Sequence, residues 1–107
     1  MRPIEFEILL SLASEPRHGY AIILDIEARR EGSISVETGT LYRALQRLVE
    51  QEFVTPTEPR RASESDDERR RYYAITSAGR HAAAEEASRM AALVDSARAA
   101  RLIPRRT

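Results

Sequence analysis

The segment TGTLYRALQRLVEQEFVTP (residues 38–56) combines an amphipathic helix with the start of a strand. Leu41, Leu45 and Leu48 recur at intervals of four and three residues, which is the spacing of one helix face. We therefore predict a helix over 38–51 whose leucine face is buried. The FVTP sequence that follows is typical of the beginning of a strand, so a helix leads directly into a strand here.

A charged segment and a second strand come next, and together they predict a β-hairpin. Residues 60–69 are rich in arginine, serine and acidic residues, which is typical of an exposed loop. Residues 71–75 (RYYAI) alternate and are rich in β-forming side chains, so we expect them to pair with the first strand. A helix followed at once by such a hairpin is the arrangement of a winged helix-turn-helix domain.

Two further helices are predicted before this unit. Apolar residues recur at helical spacing from Pro3 onwards, which predicts a first helix of about three turns. A second helix is predicted over 19–30, with Gly32 in its C-terminal cap. Residues 33–36 alternate and predict a short strand. With the long helix described below, the fold class is mostly α with a small β-hairpin (α+β).

Length and composition limit the class of protein. The chain has 107 residues, 42% of them hydrophobic and 32% charged, which suits one compact globular domain. It contains no cysteine, so disulfides, thiolate catalysis and cysteine-based zinc sites are excluded. No stretch reaches the roughly 20 apolar residues of a membrane span and no signal peptide is evident, so we expect a cytoplasmic protein.

The motifs of an enzyme are also missing. There is no Gly-rich phosphate loop and no Ser/His/Asp grouping in a recognisable setting. His81 has no second metal ligand at a suitable spacing. His18 directly precedes the second helix, where a capping or core hydrogen-bonding role is expected rather than a catalytic one. We therefore expect no catalytic residue, no metal site and no cofactor.

The face opposite the leucines of the helix over 38–51 has the chemistry to contact a DNA major groove. Arginine can donate two hydrogen bonds to guanine, and glutamine can pair with adenine. Threonine and tyrosine hydroxyls can bind phosphates, and a glycine lets the backbone approach DNA closely. An ordinary solvated helix face is the alternative. The candidate DNA-binding residues of this helix are Thr38, Gly39, Thr40, Tyr42, Arg43, Gln46 and, at the edge of the face, Arg47.

Arginines flank the predicted hairpin loop on both sides. Arg60 and Arg61 precede its tip, and Arg69, Arg70 and Arg71 follow it. They would form a cationic clamp for the DNA backbone or minor groove, although alternate residues of a strand face opposite ways. The tip itself carries four acidic residues, so a solvated loop with internal ion pairs is the alternative.

A long alanine-rich helix is predicted from its N-cap residue Thr76 to about Arg101, and it carries a heptad-like apolar seam. We expect this seam to pack against the same helix of a second copy, which would place two recognition helices about 34 Å apart. Packing back on its own domain is the alternative. The predicted interface residues are Ala83, Ala87, Met90, Leu93, Val94 and Ala97. Residues 1–75 are thus assigned to DNA binding and 76–107 to a dimerisation helix with a short basic tail.

Three motifs of the chain resemble those of the PadR family of transcriptional regulators. They are HGYAI (18–22), TGTLYRAL (38–45) and RRYYAITSAGR (70–80), and they occur in this order. The resemblance implies a winged-helix fold, dimerisation through the C-terminal helix, and repression by binding inverted repeats in promoters. The short C-terminal part is similar to that of the small-PadR subgroup.

The chain also departs from the family pattern at three points. Arg43 stands where the family often has proline, which adds a candidate contact to a base or phosphate. Glu52 replaces the usual glycine after the third helix, which affects the angle at which the chain enters the wing. There is no tryptophan, so the stacking of flat drugs between tryptophans, known in a related subgroup, is not expected.

These features predict a sequence-specific DNA-binding transcriptional regulator. We expect a repressor that binds an inverted-repeat promoter site as a homodimer, with a small-molecule effector as an open option. The alternative is a winged-helix module that binds a protein or a ligand without specific DNA binding. The formal net charge of zero, from 17 basic and 17 acidic residues, favours that alternative slightly because DNA-binding domains are usually basic.

Overall fold

The computed structural model describes residues 1–31, 35–58 and 71–104. Its elements are α1 (Pro3–Leu12), β1 (Arg17–His18), α2 (Gly19–Arg29), α3 (Thr38–Glu50), β2 (Val54–Thr57), β3 (Tyr72–Ile75) and α4 (Ser77–Ala99). The predicted α+β class is confirmed, and the predicted helices and hairpin strands end within one or two residues of their expected positions. The loop predicted over 60–69 lies outside the described residues.

The three strands of the described ranges form one antiparallel sheet in the order β1–β3–β2. β2 pairs with β3 from Val54 opposite Ile75 to Thr57 opposite Tyr72. β1 pairs with the other edge of β3, where His18 lies opposite Tyr72. The central strand of the wing is therefore β3.

The strand predicted over 33–36 is wrong for the part that the structure describes, because Ser35 and Val36 are not in a strand. Residues 33 and 34 lie outside the described residues. The backbone N–H of Val36 donates to the Glu27 carboxylate (2.8 Å) instead of to a strand. The strand that pairs with the hairpin is instead β1, which was not predicted from the sequence.

The hydrophobic core lies between α1, α2 and α3, and β2 closes one side of it. Each of the three helices contributes apolar residues spaced three or four apart, which is why one face of each is buried. The predicted burial of the leucine face of α3 is confirmed. The buried apolar residues are Ile8, Leu9, Leu12, Ile22, Ile23, Ile26, Leu41, Ala44, Leu45, Leu48 and Val54.

Two arginines from other parts of the chain bind the C-terminal end of α1. This helix has no basic residue in its own last turn. Arg17 donates from Nε to the Ser11 carbonyl (2.8 Å), and Arg80 donates from its guanidinium to the Ala13 carbonyl (2.9 Å). Cations are favourable at this end of a helix because the last carbonyls carry negative partial charge. Arg80 thereby ties the start of α4 to the end of α1.

The turn after α3 places Glu52 in the left-handed region, with φ 64°. The N–H of Glu52 donates to the Val49 carbonyl (3.0 Å) and that of Phe53 to the Leu48 carbonyl (2.9 Å), which together form a Schellman motif. The chain then enters β2. Glu31 takes a similar conformation after α2, with φ 54°, whereas the predicted cap residue Gly32 lies outside the described residues.

Replacing Glu52 with glycine is expected to stabilise the protein by about 0.5–1 kcal/mol. An L-residue in the left-handed region is strained, and the relief of that strain exceeds the added chain entropy of glycine when unfolded. Urea unfolding followed by circular dichroism measures the change. Glu50→Gly is the control, because this residue lies within α3, where glycine is expected to destabilise by about 0.5–1 kcal/mol. Equal destabilisation by both substitutions would contradict the expectation.

Among the helices that the structure describes, none is both long and apolar enough to cross a membrane.

Candidate nucleic-acid interface

The outer face of α3 is accessible, as the leucine spacing predicts. Thr38, Gly39, Arg43 and Gln46 are exposed, while the leucines on the opposite side are fully buried. Burial of one side fixes the helix on the domain, so the other side is presented as a rigid surface. The arrangement could present hydrogen-bond donors and acceptors to a groove of DNA.

Tyr42 is 43% exposed, and its ring lies against the start of α2. A Cβ atom at Gly19 would lie 2.2 Å from the Tyr42 hydroxyl oxygen and 2.5 Å from Cζ. Only glycine therefore leaves room for the ring in this position. The contact holds the Tyr42 hydroxyl at the junction of α2 and α3, the two helices of the helix-turn-helix.

Arg43 folds back along the first turn of α3. Its guanidinium donates to the Thr40 hydroxyl (3.4 Å), which in turn donates to the Glu37 carboxylate (3.3 Å). A Cβ atom at Gly39 would lie 3.2 Å from a guanidinium nitrogen of Arg43, so the glycine leaves space for this conformation. Arg43 is exposed and its hydrogen bond to Thr40 is weak. Its side chain can therefore leave this conformation to bind DNA at little cost in free energy.

Arg47 differs from the other candidates because it forms an ion pair with a buried carboxylate of another helix. Its Nε donates to the Glu5 carboxylate of α1 (2.7 Å). Burial by itself would raise the pKa of Glu5, but the hydrogen bonds from Arg47 and the Arg2 backbone, with the nearby charge of Arg47, hold the pKa below its ordinary value. Glu5 is therefore ionised at neutral pH and paired with Arg47.

His18 caps α2, which confirms the structural role expected from its position. Its Nδ1 accepts a hydrogen bond from the Ala21 backbone N–H (3.1 Å). The imidazole also meets the ring of Tyr72 edge to face, with ring centroids 5.4 Å apart. The HGY motif thus supplies a strand residue, a helix cap and the glycine that accommodates Tyr42.

Only the base of the wing belongs to the described residues. Arg71 is exposed directly before β3, while Arg60, Arg61, Arg69 and Arg70 lie outside the described residues. Tyr72 and Tyr73 are both half-buried. Tyr73 packs against the core, and burial raises the pKa of its hydroxyl, against the charge of Arg71, which lowers it.

The residues of the predicted seam of α4 have two different environments: some pack against their own domain and others are exposed to solvent. Ala83 is half-buried and packs against the core of its own chain. Further along the helix, Met90, Leu93 and Val94 are 39%, 57% and 41% exposed. Ala87 is exposed and Ala97 is half-buried. The C-terminal half of α4 therefore presents large apolar side chains that the described part of the chain leaves about half exposed.

Two residues that position these surfaces were not singled out from the sequence. Arg80 belongs to the quoted TSAGR motif, but its bond to the carbonyl of Ala13 depends on tertiary structure. Glu5 occupies the buried stripe of α1, in helical register with Ile8 and Leu12. An acidic residue within an apolar stripe needs a buried partner, and this signal could have predicted an ion pair.

Comparison with known proteins gives the same fold. The model of the Transcriptional regulator PadR-like family matches residues 8–85. A transcriptional regulator from Clostridium thermocellum superposes with a TM-score of 0.74 at 22% identity, covering 87% of this chain and 84% of that one. Bacillus subtilis PadR in complex with operator DNA superposes with a TM-score of 0.65 at 20% identity, covering 79% of this chain and 46% of that one.

A sequence relative is also found in Lysinibacillus sphaericus. An uncharacterised protein of that organism is 36% identical over 73 residues, which are 68% of this chain and 64% of the relative. The match thus spans less than two thirds of the relative's length. The matching family is one of transcriptional regulators. Since the family model covers most of the chain, the protein belongs to the PadR-like family of transcriptional regulators.

Proposed function

We propose that this protein binds a specific DNA sequence by inserting α3 into the major groove. The observation that carries the proposal is the outer face of α3, where Arg43 and Gln46 are exposed on a helix whose other side is fully buried. Fork-shaped donors on a rigid helix suit direct contact with base edges. The B. subtilis relative of the same fold was solved with operator DNA, which supports this role.

The residues around this face would bind the DNA backbone. Hydroxyls of Thr38, Thr40 and Tyr42 at the start of α3 would donate to phosphates, and Gly39 would allow close approach of the helix. The arginines of the wing would bind the DNA backbone or the minor groove beside the site. The proposed wing arginines are Arg60, Arg61, Arg69, Arg70 and Arg71.

The protein is further proposed to act as a homodimer that represses transcription at an inverted repeat. Met90, Leu93 and Val94 are large apolar residues that one chain leaves exposed on α4, and pairing with a second α4 would remove them from water. A two-fold dimer suits a two-fold symmetric site. In this scheme residues 1–75 bind DNA and residues 76–107 form the dimer.

We further propose that a small molecule binds between the two copies of the dimer and thereby releases the protein from DNA. Phe6, Met90 and Leu93 are the proposed lining of that site. Screening phenolic and flat cationic compounds for a rise in melting temperature tests the idea, since a ligand of the folded state stabilises it. No rise across a broad panel would remove its support.

Replacing Arg43 with alanine is expected to weaken specific DNA binding by about 1–3 kcal/mol, or about 5- to 150-fold. Fluorescence anisotropy would measure binding to the duplex upstream of the protein's own gene and to a scrambled duplex, at several salt concentrations. Loss at the specific site should exceed loss at the scrambled one, because a base contact is removed. Arg98→Ala, on exposed α4, is the control and should leave both affinities unchanged.

Equal weakening at both duplexes would make Arg43 a phosphate ligand and not a base contact. If the wild-type protein shows no preference for any genomic duplex, the proposal of specific DNA binding fails. A winged-helix module that binds a protein or a ligand would then be the leading function. The net charge of zero is the observation that favours this second candidate.

A further inference from the structure

The ion pair between Glu5 and Arg47 is built unlike the surface pairs of this protein. The Glu5 residue is only 5% exposed. One of its carboxylate oxygens accepts from the Arg2 backbone N–H (3.1 Å), and the other accepts from Nε of Arg47 (2.7 Å). Within the described residues, Glu5 and Ser11 are the buried polar or charged residues. A carboxylate at this depth must keep its partner, since an unpaired buried charge is costly.

The pair joins α1 to the helix proposed to enter the groove. Both helices also contribute apolar side chains to the shared core, and apolar attraction has little directionality. A hydrogen-bonded ion pair is directional, so it adds to the packing of the buried leucines a defined rotation of α3 about its own axis. Arg47 lies one helical turn after Arg43 and next to Gln46, so the rotation that it sets also sets the direction of those two side chains.

The size of the effect follows from helix geometry. Side-chain tips lie about 5–6 Å from the helix axis, so a rotation of about 20° moves them by about 2 Å. Groups that recognise a ligand must be held within about 0.5 Å of their working positions. A small rotation of α3 is therefore enough to remove good hydrogen bonds to base edges while leaving contacts to phosphates.

We propose that Glu5 is a positioning residue for DNA recognition: through Arg47 it fixes the rotation of α3 that aims Arg43 and Gln46 at base edges. Arg47 then acts inside the protein and does not serve as a phosphate ligand. The inference rests on the proposed function, since it assigns Glu5 a part in the same interface. It predicts a loss of specificity when the pair is broken, even where the fold is kept.

The test uses full-length Glu5→Gln, which is isosteric and keeps the charge of Arg47. A second variant, Glu5→Met with Arg47→Met, replaces the pair by apolar residues and is expected to fold, because such exchanges of buried ion pairs are often neutral. Glu7→Gln is the matched control, since Glu7 lies on the same helix but pairs with Arg30, the residue directly after α2. A duplex is first selected from a random pool with the wild-type protein, and anisotropy is then measured at temperatures where every variant is folded.

Both pair variants are expected to bind the selected duplex about tenfold more weakly, with unchanged binding to a scrambled duplex and an unchanged salt slope. Glu7→Gln should keep the wild-type ratio of the two affinities. If Arg47 binds a phosphate instead, Glu5→Gln will bind at least as tightly as the wild type, and the double variant will lower the salt slope by about one. Either of those results, or an equal loss in Glu7→Gln, overturns the inference. Failure to select any duplex would instead count against the proposed function.

Discussion

Replacing Gly79 with alanine is expected to destabilise the protein by about 2–4 kcal/mol. A Cβ atom at this position would lie 2.2 Å from the carbonyl oxygen of Phe53 and 2.9 Å from Cγ1 of Ile75. The carbonyl cannot move aside, because it accepts the Thr76 N–H (3.0 Å) where α4 begins. The new methyl group would therefore separate α4 from the base of the wing.

The matched control is Gly39→Ala, the same substitution near the start of another helix. There the Cβ atom would meet only the exposed guanidinium of Arg43, at 3.2 Å, and this group can turn away. Since alanine is the better helix former, we expect stabilisation of up to about 1 kcal/mol. Urea unfolding at one fixed protein concentration compares the two variants. A stability loss below about 1 kcal/mol for Gly79→Ala would show that α4 and the turn at Phe53 are not held as the structure describes.

Replacing Leu93 with glutamate is expected to convert the proposed dimer into a monomer. Leu93 is 57% exposed in one chain. Burying a leucine side chain contributes about 1.5–3 kcal/mol, and two-fold symmetry counts each residue twice, so the dimer should weaken by about 3–6 kcal/mol. This corresponds to a dissociation constant raised about 150- to 25,000-fold. Analytical ultracentrifugation over a range of protein concentrations measures it.

The control for this prediction is Ala92→Glu, which adds the same charge on the opposite side of α4. Ala92 is exposed, and by helical periodicity it points away from the seam. It should leave the dissociation constant within about threefold of the wild type. If Leu93→Glu dimerises as tightly as the wild type, the two copies meet through another surface. A wild-type protein that stays monomeric at high concentration would reject the dimer itself.

The helices and the hairpin could be predicted because their signals are local. The leucine spacing of α3, the proline at the start of α1 and the Thr76 cap each act within one or two helical turns. The strand β1 could not be predicted in this way. Arg17 and His18 show no alternation, and they form a strand only because the edge of β3 lies beside them.

In the candidate site, too, features set by local sequence could be predicted and contacts between distant residues could not. The exposure of Arg43 and Gln46 follows from helical periodicity, so it was accessible from the sequence. The partner of Arg47 was not, because Glu5 is 42 residues away along the chain and meets it only in the folded state. Glu52 was predictable in part. The sequence shows an unusual residue after α3, but its left-handed conformation is seen only in the structure.

The base of the wing is held together by the paired strands and by Thr76, all of which lie outside the tip. β2 and β3 pair over their whole length, and Thr76 binds both the Glu52 carbonyl (2.7 Å) and the Phe53 carbonyl (3.0 Å). The ends of the segment between the two strands are thus fixed, and doubling the length of such a segment costs only about 0.6 kcal/mol. Insertions and deletions at this point are therefore nearly neutral for folding. Evolution can alter how far the wing reaches along a duplex while the recognition helix and its supporting core are inherited unchanged.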